Sequence, residues 1–508
     1  MKKRKKWAGT SINGLTQHGR PRILLAALLV ALAMAYVPVT RAGGVVSACD
    51  ETHLRAAVAG GGAVTFTCSG TITVTSTIAI LLNTTVDGTG QNVTISGGNA
   101  VGVFSVGSPL VQAFLNVSLN NLTIADGNAN GLNFFTGGGG GVASYYSLLN
   151  VNNSTFIHNL ATFLGGGIYN YFGTTFVSNS TFTGNAAQNG GGIFSHGGLH
   201  LTNSTFFGNA GGSGGGIYNE GVANVFDSTF SGNVASFGAG IYNYTGTAIT
   251  IIKNTIIAHS VPGENCFNFG IILNDGGGNL DTDGTCVGSI SPDPLLGPLQ
   301  KNGGPTQTMA IPMASPAFGG GVVAGCPATD QRGVLRPQFL ACDIGAFEFA
   351  TANSLLTAVR DNILNLIPTL PVGDDLDAKK LSEAASDLSA VLNSNNWQGT
   401  DGNHLRPSKS EYVFELLTEG VAGKLTHLLT ATPPSAVPVQ TLQTLLNNLT
   451  LAGRTLATTA VSDAAGGSAT KLAQANGRLA AGDAETTAGK YVSAIVDYEI
   501  AWAILHDE

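Results

Sequence analysis

Four aromatic residues recur at nearly equal intervals in the middle of the chain and could form a binding surface. Each one follows an isoleucine, and the intervals between these isoleucines are 25, 24 and 24 residues. If the isoleucine is buried in a strand, alternation places the next side chain on the outer face. Stacked rings can bind the apolar faces of sugars, so we predict a ligand-binding aromatic strip of Tyr169, Phe194, Tyr218 and Tyr242. The alternative is that the rings only stabilise the surface.

Two other groups of polar residues have the chemistry of metal ligands. Asp281 and Asp283 stand close together before a glycine, and Ca²⁺ prefers such carboxylate oxygens. A plain turn requires the same residue types, so calcium is one of two interpretations. His196 and His200 are four residues apart, but two glycines between them argue against a metal-binding helix. Apart from calcium at the aspartate pair, the sequence predicts no cofactor.

The distribution of charged residues bears on whether the protein is an enzyme. Acid–base catalysis on polysaccharides needs paired carboxylates, commonly near a lysine or arginine. Between residues 121 and 260 the only formal charges belong to Asp126, Glu220, Asp227 and Lys253. A denser group is Asp330, Arg332, Arg336 and Asp343, which we interpret as ion pairs that hold a terminal coil. No catalytic residues are therefore predicted; the alternative is a lyase or glycoside hydrolase that acts on acidic polysaccharide.

The first 42 residues have the pattern of a cleaved signal peptide. Five basic residues precede an uncharged apolar run at 23–37, which is short for a membrane span. We expect no integral membrane domain after its removal. The remaining chain has 15 basic and 31 acidic residues, a net charge of −16 that repels nucleic acid. The expected location is secreted, extracellular or on the cell surface of a bacterial envelope.

Six cysteines follow the signal segment, an even number that is typical of disulfides in an exported protein. They fall into three pairs by proximity along the chain, although sequence alone does not fix connectivity. The expected pairs are Cys49–Cys68, Cys266–Cys286 and Cys326–Cys342.

Two repeated phrases define the element that must position these groups. Asn-Ser-Thr-Phe occurs at Asn153, Asn179 and Asn203, and a Gly-x-Gly-Ile phrase recurs out of phase with it. The phrases are rich in strand-forming residues, with glycine turns between them. The period predicts a mainly β chain: a right-handed parallel β-helix (a pectate-lyase-like solenoid) over 43–350, with its repeat core at about 90–260.

Equivalent side chains of successive coils should lie above one another in such a fold. We expect a stack of Phe156, Phe182, Phe206 and Phe230 inside the cylinder, and a ladder of Asn159, Asn185, Asn209 and Asn233 at a turn. A short helix over 50–58, with Asp50 as its N-cap, should close the first coil.

Residues 351–508 change to a helical pattern. Apolar residues recur three or four positions apart in five or six segments, which predicts an α-helical bundle. In the last segment we assign Tyr491 and Trp502 to the core; a ligand groove is the alternative.

The repeats resemble those of a known family. Phe182-Thr183-Gly184-Asn185 followed by Gly-Gly-Gly-Ile, with its other copies, is similar to the FxxN and GGxI repeats of polymorphic outer membrane proteins. Residues from about 290 to 349 resemble the choice-of-anchor Q domain, through Asp330-Gln331-Arg332-Gly333 and Cys342-Asp343-Ile344-Gly345. These families imply a bacterial surface β-helix, so we expect adhesion or glycan binding, with a polysaccharide or a host or neighbouring cell as partner. A purely structural envelope protein is a further alternative.

Overall fold

The computed structural model describes residues 43–506 except 132, 134–136, 245–247, 270–272, 289, 340, 400 and 433. The predicted signal peptide, residues 1–42, lies outside the described residues. The described residues form one compact unit.

The chain is mainly β in its first part, where it forms a parallel β-solenoid. Each turn adds one strand to each of three sheets, and each strand pairs in parallel with its counterparts in the turns above and below. One of these sheets has eight strands, one for each of about eight turns. The predicted parallel solenoid with helices after it is confirmed.

The strands of sheet A are Val45–Val46, Gly62–Phe66, Thr84–Asp87, Asn116–Asn120, Leu148–Asn152, Thr174–Ser178, Gly198–Thr202, Val222–Phe226, Ile249–Lys253 and Leu273–Asp275. Those of sheet B are Gly70–Thr73, Val93–Ser96, Leu122–Ala125, Thr155–Ile157, Thr181–Thr183, Thr205–Phe207, Thr229–Ser231, Ile256–Ala258 and Leu280–Asp281. Sheet C contains Ile78–Ile80, Phe104–Val106, Val142–Tyr145, Ile168–Tyr171, Ile193–Ser195, Ile217–Asn219, Ile241–Asn243 and Cys266–Asn268. A smaller sheet D lies between B and C in each of four turns, at Asn128–Ala129, Leu160–Ala161, Ala186–Asn189 and Ala210–Ser213.

The corner between sheets A and B explains the repeated Asn-Ser-Thr phrase. The first residue of each copy has a left-handed backbone, with φ of 47–51°, and asparagine and aspartate adopt this conformation more readily than most residues. The residues at this corner are Asn153, Asn179, Asn203, Asp227 and Asn254. Glycine is needed where coils approach closely: a Cβ on Gly192 would lie 2.6 Å from the carbonyl oxygen of Gly216.

The interior contains the side-chain stacks that the period predicts. The centroids of the four phenylalanine rings are 4.6–4.7 Å apart, and all four side chains are fully buried. In the asparagine ladder, the side-chain amide of Asn185 donates to the side-chain oxygen of Asn209 at 2.9 Å and to the Phe156 carbonyl at 2.9 Å. Because Asn159, Asn185 and Asn209 each donate to the asparagine of the next coil, the ladder fixes the axial register of the coils.

A helix closes the first coil, as expected. Helix α1 spans Glu51–Ala59, and the Asp50 side chain accepts a hydrogen bond from the His53 backbone at its N-terminus. Its buried residues are Leu54, Ala57 and Val58. This apolar face covers the end of the core and shields it from water.

The segment that follows the last coil packs back along sheet B. Thr181 Oγ1 donates to the Gln307 carbonyl at 2.6 Å, and Asn203 Nδ2 donates to the Thr329 carbonyl at 2.7 Å. The Ala346 backbone donates to Thr229 Oγ1 at 3.0 Å. The segment contains a two-stranded antiparallel pair, Leu299–Gln300 and Thr308–Met309. Sheet B is therefore covered over several successive turns.

The C-terminal region is helical. Its α-helices are α2 Ala352–Leu366, α3 Asp375–Val391, α4 Ser410–Glu415, α5 Gly423–Leu429, α6 Val439–Asp463, α7 Ala469–Thr487 and α8 Tyr491–His506. A π-helical stretch, Leu416–Ala422, joins α4 to α5, and Trp397–Gln398 pairs with His404–Leu405. Tyr491 and Trp502 are buried in the core, as predicted. Asn448 of α6 donates to the Gly333 carbonyl at 2.8 Å, which attaches the helices to the segment on sheet B.

The phenylalanine stack generates a stability prediction. Phe206→Ala should lower the free energy of unfolding by about 3–5 kcal/mol, because it opens a cavity between two stacked rings. Phe176 lies on the outer face of sheet A and is 42% exposed, so Phe176→Ala should change the free energy of unfolding by less than about 1 kcal/mol. Urea unfolding followed by circular dichroism measures both; equal losses would contradict the assignment of Phe206 to the core.

Candidate functional site

The predicted aromatic strip lies on the outer face of sheet C but is not an exposed surface. Tyr169, Phe194, Tyr218 and Tyr242 pair in register and point away from the isoleucines of the lumen. Their relative exposures are only 1, 4, 6 and 8%. We therefore correct the expectation of an open strip: the rings are buried because each covers its neighbour, with centroids of Tyr218 and Tyr242 4.7 Å apart.

A second row of half-buried side chains, two residues further along the chain in each coil, carries the polar chemistry of this face. It consists of Tyr171, His196, Glu220 and Tyr244. Backbone hydrogen bonds keep these residues in register, as from Glu220 to the Ser195 carbonyl at 2.8 Å and from Tyr244 to the Asn219 carbonyl at 2.9 Å. This row could not be predicted from the repeats, because its residue types differ from one coil to the next. The signal that could have found it is the two-residue spacing from the aromatic ladder, which places both rows on one face.

His196 and Glu220 form a pair in the middle of this row. His196 Nδ1 is hydrogen bonded to Glu220 Oε2, and the two side chains are 33% and 21% exposed. The other carboxylate oxygen of Glu220 makes no hydrogen bond with any described residue and retains contact with solvent. An acceptor is thus available to a ligand on this face.

Aromatic rings surround the pair. The Phe172 ring meets the His196 ring edge to face at 4.2 Å and is itself 53% exposed. The ring of Tyr244 lies 5.7 Å from that of Tyr218. We call the buried ladder together with Tyr171, Phe172, His196, Glu220 and Tyr244 the aromatic face.

Tyr169 and Tyr218 of the aromatic face remain protonated hydrogen-bond donors. Burial raises the pKa of Tyr218 well above its usual range, and the negative charge of Glu220 raises it further. The pKa of Tyr169 is also raised, first by burial and then by the neighbouring Tyr145 and Tyr171, with Glu220 a smaller cause. Among the described residues, the hydroxyls of Tyr218, Tyr242 and Tyr244 have no hydrogen-bond partner. The face therefore combines apolar rings with phenol, imidazole and carboxylate groups.

The aspartate pair considered for calcium stabilises a loop. Asp281 is buried and accepts hydrogen bonds from Asn265 Nδ2 at 2.8 Å and from the Cys286 backbone at 2.6 Å. Asp283 accepts from the Thr285 hydroxyl at 2.6 Å and from the Asn265 backbone at 2.7 Å. Because N–H and O–H donors already occupy the four carboxylate oxygens, the geometry favours the turn over calcium. Within the described part of the chain, no group of three or more His, Cys, Asp or Glu residues could hold a metal.

His196 and His200 lie on different sheets. His200 is on the outer face of sheet A, where its ring stacks on Phe176 at 4.6 Å and its Nδ1 lies 3.1 Å from Asn224 Nδ2. The four-residue spacing therefore does not bring the two imidazoles together.

The charge-dense group near the end of the solenoid forms a closed cluster, to which the structure adds Glu348. Arg332 pairs with Asp330 at 2.7 Å and lies over the Phe347 ring at 3.6 Å. Arg336 Nη1 lies 3.3 Å from Glu348 Oε2, and both side chains are fully buried. The Asp343 carboxylate accepts from the Gly319 backbone at 2.7 Å. Three carboxylates and two arginines meet here, but their burial leaves no opening for a polysaccharide, so the cluster anchors the segment on sheet B.

No protein-family model matches the chain, and no curated protein matches its sequence. The site must therefore be interpreted from its own geometry.

The structure pairs all six cysteines. The bonds are Cys49–Cys68, Cys266–Cys286 and Cys326–Cys342, with Cα separations of 5.7, 5.0 and 6.6 Å. Disulfides persist in oxidising compartments, so they indicate a location outside the cytoplasm. Over residues 43–506, outside the short gaps named above, no helix has the length and apolar character needed to cross a membrane.

The closed cluster generates a pH prediction. Burial raises the pKa of Asp343 to about 6 and that of Glu348 to about 7, while Arg336 opposes both shifts. The folded protein therefore binds protons more tightly than the unfolded chain between the ordinary carboxyl pKa values and these raised ones. Its free energy of unfolding should fall as pH rises through this window. Glu348→Gln should flatten the slope in urea titrations, whereas an unchanged slope would contradict the assignment.

Proposed function

We propose that the protein is a non-catalytic, exported β-helix that binds glycans on a polysaccharide or cell surface. The observation that carries this proposal is the aromatic face, where the exposed Phe172 ring and the half-buried Tyr244 ring accompany an unoccupied carboxylate oxygen and phenol hydroxyls. Sugars present apolar ring faces and many hydroxyls, so a site that binds them needs both aromatic area and hydrogen-bonding groups. Phe172 and Tyr244 supply the aromatic area. Glu220 and His196 supply the hydrogen-bonding groups.

The extended shape of the aromatic face suits a chain-like ligand. Its rows run along the solenoid axis, with successive coils spaced at about 4.8 Å. Tyr171 and Tyr244 belong to coils three turns apart, so the row spans roughly 14 Å, enough for several sugar units. An oligosaccharide could contact rings at both ends and the Glu220 carboxylate between them.

The sequence resemblances support an external setting. We propose a right-handed, pectate-lyase-like solenoid similar to the repeats of polymorphic outer membrane proteins, followed by a choice-of-anchor Q domain at about 290–349. Residues 1–42 would act as the signal peptide, and the disulfides fit this route. Adhesion to a host or neighbouring cell is the corresponding role.

Removal of one solvent-accessible ring from the aromatic face tests the proposal. Phe172→Ala and Tyr244→Ala should each weaken binding to a responsive polysaccharide by about tenfold, since a lost aromatic contact corresponds to about 1.4 kcal/mol. A glycan array first identifies the ligand, and affinity electrophoresis then compares the variants with the unaltered protein.

The chain offers a matched control for this experiment. Phe176 is also an exposed phenylalanine that packs on a histidine, but it lies on sheet A. Phe176→Ala should leave binding unchanged. Equal binding by all variants, or sugar release during the assay, would contradict a non-catalytic glycan site on the aromatic face.

A further inference from the structure

We infer that the aromatic face selects glycans that carry free amines, such as oligomers of glucosamine, over neutral or acidic ones. The inference rests on the proposed function and adds the class of ligand to it. It follows from the sign and position of the charge on this face.

Glu220 supplies the only formal charge on the aromatic face. Between residues 127 and 263 the other charged side chains are Asp227 and Lys253, and both lie elsewhere on the solenoid. Asp227 is buried at the corner between sheets A and B, where it accepts from Asn254, and Lys253 is bonded to the Ala324 carbonyl. No lysine or arginine is therefore available among these residues to pair with a uronate.

The causes of the raised tyrosine pKa values agree with this distribution of charged residues. Glu220 is the one charged side chain that contributes to the raised pKa values of Tyr169 and Tyr218; the other contributions come from burial and neighbouring tyrosines. The formal charge on the aromatic face is negative, because Glu220 is its one charged side chain and no lysine or arginine belongs to it. A carboxylated sugar would be repelled, and an ammonium group would be attracted.

The arrangement around Glu220 matches an ammonium ligand. Tyr218 lies two residues before Glu220 on the same face, and the Tyr244 ring lies 5.7 Å from the Tyr218 ring. An ammonium group beside the free carboxylate oxygen would meet the half-buried ring of Tyr244. The faces of the Tyr218 ring are covered by Phe194 and Tyr242, so this ring serves as support. A neutral N-acetyl group keeps the ring contacts but loses the charge attraction.

The experiment compares three oligosaccharides of equal length with the full chain by calorimetry at low salt, at a pH where the amine is protonated. The probes are oligomers of glucosamine, N-acetylglucosamine and galacturonate. We expect glucosamine to bind roughly threefold to tenfold more tightly than N-acetylglucosamine, and galacturonate to bind most weakly. The preference for glucosamine should shrink as salt is added.

Glu220→Gln should remove the preference for glucosamine while binding of N-acetylglucosamine remains. Asp126→Asn is the matched control, because Asp126 is another carboxylate beside a histidine, with His158 at 4.0 Å near sheet B. This variant should keep the preference. Equal affinity for the two amino sugars, a preference that survives Glu220→Gln, or tighter galacturonate binding would overturn the inference and leave the glycan site standing. If none of the three sugars binds and Phe172→Ala leaves polysaccharide binding unchanged, both this inference and the proposed glycan site would be overturned.

Discussion

Each turn of the solenoid must place its side chains directly above those of the turn before, and the rest of the structure depends on this register. Parallel strands set the spacing at about 4.8 Å, and the phenylalanine rings in the lumen stack at almost the same distance. The asparagine ladder adds directional hydrogen bonds that a shift of one residue would break. Extra residues are therefore accommodated only at corners: Val142 follows Phe104 by 38 residues, yet the two still pair.

Because of the same register, equivalent residues of successive coils form continuous rows on the outer faces of the solenoid. Phe172 and Phe176 are four residues apart in one coil, but the corner between sheets C and A separates them onto different faces. The C-terminal segment covers sheet B over several turns, whereas the aromatic face on sheet C keeps Phe172 and a carboxylate oxygen open to solvent. Binding is thus assigned to a face of the solenoid rather than to a cavity, and the buried ladder serves as its rigid support.

Periodicity explains which features the sequence could predict. The phenylalanine stack, the asparagine ladder and the capping helix each follow from short phrases whose side chains have one dominant place in a coil. The aromatic ladder was assigned correctly to the outer face, but its burial depends on neighbouring rings that alternation alone does not describe. The row with His196 and Glu220 was not predicted, because its residue types differ between coils. The packing of Thr329 and Gln331 on sheet B joins residues 126 apart, and no local pattern indicates such a contact.

The most direct test of the coil register and of the glycan site is a crystal structure of the full chain with a bound glucosamine oligomer. We expect phenylalanine rings about 4.7 Å apart in the lumen and a sugar chain along the aromatic face, with an amine beside the carboxylate of Glu220. A coil register shifted by one residue, or an oligomer bound on sheet A or among the helices, would contradict this expectation.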